Sequence, residues 1–292
     1  QLGLKLTYLA GEAGAAARLQ RFETVRRLGA LAHEHEVDAV LVAGDVFDDN
    51  AVGADTIQRA ADALATFAPI PVLLLPGNHD PATADSALVR MQAGAHVHVC
   101  TTPEPVTLDG VTIYPCPVQR RHEPRDPTAG LAAREDDDTI RVALAHGGVL
   151  DFGEETESPR VIDVAALVQK GLDYIALGDW HGTWTATPRA WYAGTPEPTG
   201  FKANDAGNAL LVDLDEPGVE PTVERLAVAR LRWLRKSCRL EHDDDLDAFA
   251  DWFEALPEKA HTLLRLELEG ILSLAAGGRL EALLDDIRSR CI

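Results

Sequence analysis

Four short polar clusters carry residue types that can do chemistry. Gly44-Asp45 directly follows the apolar run 39–43, and Gly77-Asn78-His79-Asp80 directly follows the run 72–76. His146 closes the run 143–145, and Gly178-Asp179-Trp180-His181 follows the run 175–177. Each cluster falls where a buried strand stops. Side chains there are held by a rigid sheet yet face a cleft. Asp45, Asn78, His146, Asp179 and His181 supply carboxylate, carboxamide and imidazole, the mixture that divalent cations take as ligands. Two cations about 3.5–4 Å apart need one carboxylate that touches both, and Asp45 is the natural bridge. Such a pair acidifies a shared water and clamps the oxygens of a phosphate. His79, next to a ligating Asn78, is then free to move a proton to the leaving oxygen.

Each cluster alone has a plainer reading. Gly-Asp and Gly-Asn-His-Asp after a strand are also turn chemistry. A single His146 is more often a hydrogen-bonded core histidine than a ligand. Asp48 and Asp80 are placed to orient ligands, or equally to cap and turn. His96 and His98 stand two apart on a strand, as an edge strand also places them. Trp180, Trp184, Trp191 and Tyr192 could stack nucleobases or pack loops. Arg120, Arg121 and Arg125 could meet phosphates or face solvent. The metal reading rests on all the clusters together, in this order, at strand ends.

The elements that position them follow from periodicity. A helix is expected from Arg18, with Leu19, Phe22, Val25, Leu28 and Ala32 on one face. Residues 37–43 read as a buried strand, 55–67 as a second helix stopped by Pro69 and Pro71, and 72–75 as the next strand. That order predicts a parallel sheet with crossover helices. A short strand follows at 97–99, then a hairpin turning at Asp109-Gly110. Residues 120–138 read as a long loop, 139–145 as a strand, and 163–171 as a helix capped by Asp163 and closed by Gly171. Strands are expected at 174–177, 191–193 and 209–214. From about residue 226 the character changes to a β-α-β-α unit, with a strand at 229–234, a helix at 243–256, a strand at 264–268 and a final helix striped by Leu280, Leu283, Leu284 and Ile287. The expected domains are 1–225 and 226–292.

Composition sets the outer bounds. The 292 residues are 46% hydrophobic, enough for a sizeable core. No apolar stretch approaches the roughly 20 residues of a membrane-spanning helix, and no basic signal segment opens the chain, so a cytoplasmic location without a membrane partner is expected. Cys100, Cys116, Cys238 and Cys291 show no zinc spacing and read as free thiols. The net charge of −20 repels nucleic acid. A protein of this balance that acts on DNA needs bound cations, a local arginine patch or a partner.

These motifs resemble the calcineurin-like metallophosphoesterase superfamily: Gly44 to Asp48 (GDVFD), Gly77 to Asp80 (GNHD), the strand-end His146 and Gly178 to His181 (GDWH). The segments RFETVRR from Arg21, AGDVFD from Ala43 and WYAGTPEP from Trp191 are similar to the DNA double-strand-break repair exonucleases, the family of SbcD-type nucleases. The resemblance implies an α/β fold: a β-sandwich flanked by helices, followed by a small α+β capping domain. It implies Asp45 as bridging ligand, Asn78 and His146 as ligands of the second metal, His181 as a ligand of the first, and His79 as the leaving-group histidine. Asp179 stands where that family usually has histidine. The family opens on a strand ending in D-x-H, and Gln1-Leu2-Gly3 resembles its tail, with Gln1 in the histidine position. A chain longer at the front, and at the back where the family grips its ATPase, is implied. So are two divalent ions, most often manganese, with DNA as substrate, an SMC-like (SbcC-like) ATPase as partner and a homodimer in the complex. Two other functions stay open: hydrolysis of small phosphate esters, favoured by the acidic balance, and a non-catalytic role within an ATPase complex, suggested by Gln1 and Asp179.

Overall fold

The central strands are apolar on both faces, so each must be covered on both sides, and two stacked sheets with helices outside satisfy that. The structure, a computed structural model, describes residues 1–9, 11–122, 124–135, 138–149, 161–202 and 204–292. Helix α1 (Gly11–Glu34) leads to β1 (Val40–Val42), α2 (Ala54–Leu64), β2 (Val72–Leu74), α3 (Ala87–Arg90) and β3 (Val97–Val99). β1, β2 and β3 pair in parallel in that order. The chain continues through β4 (Val106–Leu108), β5 (Val111–Cys116), β6 (Ile140–His146), β7 (Gly148–Val149), β8 (Val161–Ile162), α4 (Val164–Gln169), β9 (Tyr174–Gly178), β10 (Trp184–Thr187) and β11 (Ala190–Tyr192). Six of these strands form a mixed sheet in the order β10-β11-β9-β6-β5-β4. Its core, β5-β6-β9-β11, is parallel. Asp109 and Gly110 both have positive φ at the β4–β5 turn, as a two-residue hairpin loop demands.

Alternation sorts the layers. In the first sheet Val72 and Leu74 face the helices, packing with Phe22, Ile57 and Leu64. Leu73 and Leu75 point the other way and meet Ile113, Val142, Leu144 and Tyr174 of the second sheet. On that sheet's outer face Ala143, Ala145, Ile175 and Leu177 pack against Leu167 of α4. The result is helix, sheet, sheet, helix. Leu73, Leu74 and Leu75 are fully buried, and each contributes about 1.5–3 kcal/mol from its removal from water.

An antiparallel pair follows, β12 (Asn208–Asp213) with β13 (Thr222–Ala227). Then β14 (Arg232–Leu240), α5 (Asp243–Ala255), β15 (Thr262–Gly270) and α6 (Leu274–Arg290) complete the chain. β14 and β15 pair in parallel with each other.

Three expectations shift. Helix α1 begins at Gly11 rather than Arg18. Its first turns are mostly Ala and Gly, which form helix without an apolar stripe to announce it. The strand expected at 37–43 shortens to β1, because Val37 N–H instead closes the preceding helix onto Ala32 O. The strand expected from 229 starts at Arg232, because the Val228 and Ala229 amides bond Gly207 O while those of Arg230 and Leu231 bond Glu197. In the expected loop 120–138 no helix or strand occurs among the described residues; residues 123, 136 and 137 lie outside them. The thiols are free, and burial pushes Cys100 up to about 11 and Cys116 to about 12.

Candidate metal centre

Four strand ends meet at one edge of the sandwich, and three glycines let them meet. A Cβ on Gly44 would stand 2.2 Å from His146 Nδ1, one on Gly77 2.2 Å from Asp45 Oδ1, and one on Gly178 1.7 Å from Ala43 O. No side chain larger than hydrogen fits there. The turn after β1 places Asp45 at φ +56°, and the exit of β9 places Asp179 at φ +106°. Such left-handed backbone is uncommon outside glycine and gathers at functional sites.

His146 is the fixed point. It is 1% exposed, and its Nδ1–H donates to Ala43 O at 2.7 Å, which leaves a lone pair on Nε2. That atom lies 2.7 Å from Asn78 Oδ1, 3.5 Å from Asp45 Oδ1 and 3.6 Å from Asp179 Oδ1. Asn78 Oδ1 faces acceptors only. With Oδ1 turned to the ring, four electron-rich atoms converge with no proton to share, an arrangement that a cation would relieve. Ligands of one ion at about 2.1 Å stand about 3.0–4.3 Å apart, so the two carboxylate distances suit a shared ion. Turning the amide over is the metal-free alternative: its nitrogen then donates to His146 Nε2 at 2.7 Å and to the Asp45 oxygens at 3.2 and 3.3 Å. Among the described residues no three His, Cys, Asp or Glu side chains are arranged to hold a metal by themselves. Two carboxamides, Asn78 and Gln1, also face this cluster.

Asp45 sits at the centre. Its Oδ1 accepts from the His79 backbone N–H at 2.9 Å, and its Oδ2 from Gln1 Nε2 at 2.8 Å. Burial opposes its charge, but His146, the His79 amide, the His79 ring and Gln1 outweigh it, so its pKa falls below the usual carboxylate value. It is ionised at neutral pH, as a ligand must be. His181 joins through charge rather than a hydrogen bond: burial lowers its pKa most, and it feels Asp45, Asp179 and His79. A neutral imidazole is the form that ligates.

His79 and the two flanking acids have different tasks. His79 Nδ1 bonds Asp48 O at 2.8 Å, leaving Nε2 to exchange a proton. The Asp48 carboxylate is farther, at 3.9 Å. Asp80 is fully buried and accepts from Phe47 N at 2.9 Å and Gly77 N at 2.8 Å, tying the loop after β1 to the loop after β2. Burial raises its pKa.

The chain matches the calcineurin-like phosphoesterase family over residues 17–183, more than half its length. It belongs to that family. Among relatives, it is 24% identical over 259 residues to the SbcD component of the nuclease SbcCD from Bacillus subtilis (strain 168), covering 74% of this chain. The chain spans 66% of that relative's length, just under two thirds.

Within this phosphoesterase the other expected contacts divide. His96 Nε2 bonds Leu64 O at 3.0 Å and is part of the packing around α2. Trp184 pairs with Tyr192, and Trp180 packs on the outer core of the second sheet beneath Lys202. Arg121 lies 3.5 Å from Asp49. Sequence reasoning passed over the role of Gly77 and Gly178. The signal was present, since each glycine directly follows a buried run and stands beside a candidate ligand. It also passed over the burial of Arg21. That arginine is 6% exposed, next to Phe22 on the inward face of α1.

Proposed function

We propose that this chain is a metal-dependent phosphodiesterase of the DNA-repair nuclease type, hydrolysing backbone phosphodiesters of DNA. The observation that carries the reading is the convergence of the Asp45 and Asp179 carboxylates and the Asn78 carboxamide on Nε2 of His146. Asp45, Asn78, His146, Asp179, His181 and Gln1 would hold two divalent cations. Their mixed nitrogen and oxygen character suits manganese. When bound, such ions polarise phosphate and acidify water. The chain's own residues do the rest. Asp45 would be the ligand common to both cations, His146 is kept in one tautomer by Ala43 O, and Asp80 locks the two loops together. His79, held by Asp48 O, delivers a proton to the departing sugar oxygen through Nε2. Asp179, a carboxylate where the family's motif has histidine, would change the affinity for metal and the acidity of a bound water.

A relative that is part of a nuclease supports DNA as substrate and an assembly as the working form. The reading includes an SMC-like ATPase partner, a homodimer within that complex, a cytoplasmic location, and a division into a nuclease domain over 1–225 and a capping domain over 226–292. No helix among the described residues is long and apolar enough to cross a membrane.

The test compares a linear duplex with a chromogenic phosphodiester in manganese buffer. Release of nucleotides from the duplex, lost in Asp45→Ala together with calorimetric manganese binding, is the expected result. Cleavage of the small ester alone would favour the second reading, a phosphatase of small esters, which the net charge of −20 supports. Hydrolysis of neither substrate would leave a non-catalytic role.

A further inference from the structure

A cavity of about 530 Å³ opens between the start of α1, the loop after Leu2 and the start of α2. That volume lies within the roughly 300–1,000 Å³ of ligand sites. Its charged lining is Lys5, Arg18, Arg21 and Arg59 against one acid, Asp55. Four cations around one hollow are conspicuous in a chain whose net charge is −20. Chance on such a surface would gather acids.

Arg21 gives the cavity its chemical direction. It is 6% exposed, and one nitrogen, Nη1, bonds Gln1 O at 3.2 Å and Leu4 O at 3.4 Å. Its Nε and Nη2 are buried with no hydrogen-bond partner. A guanidinium presents its donors as a planar fork that matches two oxygens of a phosphate or carboxylate. Leaving two of them dry is unfavourable, the more so because the group is charged. Arg18 is held over the cavity by its bond to Lys5 O at 3.1 Å. Arg59 and Lys5 are exposed at the rim.

The cavity is also adjacent to the candidate metal centre. Gln1 is the link, since its carbonyl takes Arg21 Nη1 while its carboxamide donates to Asp45 Oδ2 at 2.8 Å. We propose that the cavity lined by Lys5, Arg18, Arg21 and Arg59 binds a phosphate of the substrate strand other than the one that is cleaved. This rests on the nuclease reading, and it supplies the local cationic patch that an acidic protein needs to hold a polyanion. The patch lies on α1, α2 and the loop after Leu2, away in sequence from Arg120, Arg121 and Arg125. Arg21 is the anchor at the floor, and Arg18, Arg59 and Lys5 close over the phosphate.

The test is binding without catalysis. A fluorescent single-stranded oligonucleotide is titrated against the full chain in chelator, at several salt concentrations, so that hydrolysis plays no part. Arg59→Glu is the main variant, because its exposed side chain leaves the core intact. Arg239→Glu on β14, far along the chain, controls for overall charge. Arg59→Glu is expected to weaken binding roughly fivefold to tenfold at about 0.1 M salt and to flatten the log–log salt slope by about 0.7 for the lost phosphate contact. Arg239→Glu is expected to leave both within twofold. Millimolar inorganic phosphate is expected to compete with the oligonucleotide on the unaltered chain and not on Arg59→Glu. Equal losses in the two variants, or unchanged affinity and slope in Arg59→Glu, would overturn the proposal. Binding of inorganic phosphate with no oligonucleotide bound would overturn it as well, pointing to a free-phosphate site. Absence of hydrolysis in manganese buffer would refute the nuclease reading while leaving this binding measurement standing.

Discussion

His79 and His146 are both histidines at strand ends, yet their hydrogen bonds give them opposite work. His146 donates from Nδ1 to Ala43 O and turns a lone pair toward Asp45, Asn78 and Asp179. His79 is anchored by Asp48 O and keeps no oxygen of that cluster on its ring. His79→Ala is therefore expected to lower turnover by about 10²–10⁴, the range of a positioned proton donor, while calorimetric manganese affinity stays within threefold. Full turnover in that variant would remove the role. Gly178 makes a separate demand. A methyl there would lie 1.7 Å from Ala43 O and 2.8 Å from His146 Nδ1. Gly178→Ala is expected to destabilise the fold by roughly 3 kcal/mol and to abolish tight manganese binding, because the ends of β1 and β9 must separate. A urea midpoint equal to that of the parent chain would show that the strand ends do not approach so closely.

At the scale of elements, what could be read in the sequence was set by how strongly burial shapes a segment. β2, β6 and β9 are covered on both faces, so their runs were continuous and their polar ends stood out; the candidate ligands were found for that reason. Helix α2 and the Asp163 cap of α4, which accepts from Ala166 N, followed from simple periodicity and capping. The first turns of α1 and the edge strands β10 and β13 did not. Their residues are small or half-exposed, and pairing rather than pattern defines them. Nor could sequence place Glu197. It is 4% exposed and accepts from Thr24 Oγ1 on α1 at 2.5 Å and from Leu231 N ahead of β14 at 2.8 Å, with Arg230 N at 3.1 Å. One carboxylate thus joins three segments far apart in the chain. Glu197→Gln puts an amide group among those donors, so at least one of them loses its acceptor. It is expected to cost about 1.5–3 kcal/mol, read from urea unfolding. A loss under about 0.5 kcal/mol, the size of an ordinary surface change, would show that water or a neighbour replaces the carboxylate.

Across the whole molecule, two cores are built on different principles. The sandwich buries its strands between layers, whereas the C-terminal β14-α5-β15-α6 unit folds its two helices against one face of a two-stranded sheet. Leu240, Leu246, Phe249, Phe253 and Ile287 form that second core. The two units touch through Leu231 and Leu263 against Leu6 and Ala17, with Trp233 edge-on to Phe201 at 5.0 Å. A separate capping domain would respond on its own to damage in its core. Phe253 is fully buried there. Phe253→Ala is expected to cost the unit about 3–5 kcal/mol. Hydrogen exchange should then rise across 232–290 and proteases should cut there first, while amides of β2, β6 and β9 stay protected and manganese affinity is unchanged. If the sandwich amides lose protection together with those of the C-terminal unit, and metal binding falls with them, the chain is one cooperative body. A division near residue 226 would then describe its topology and not its folding.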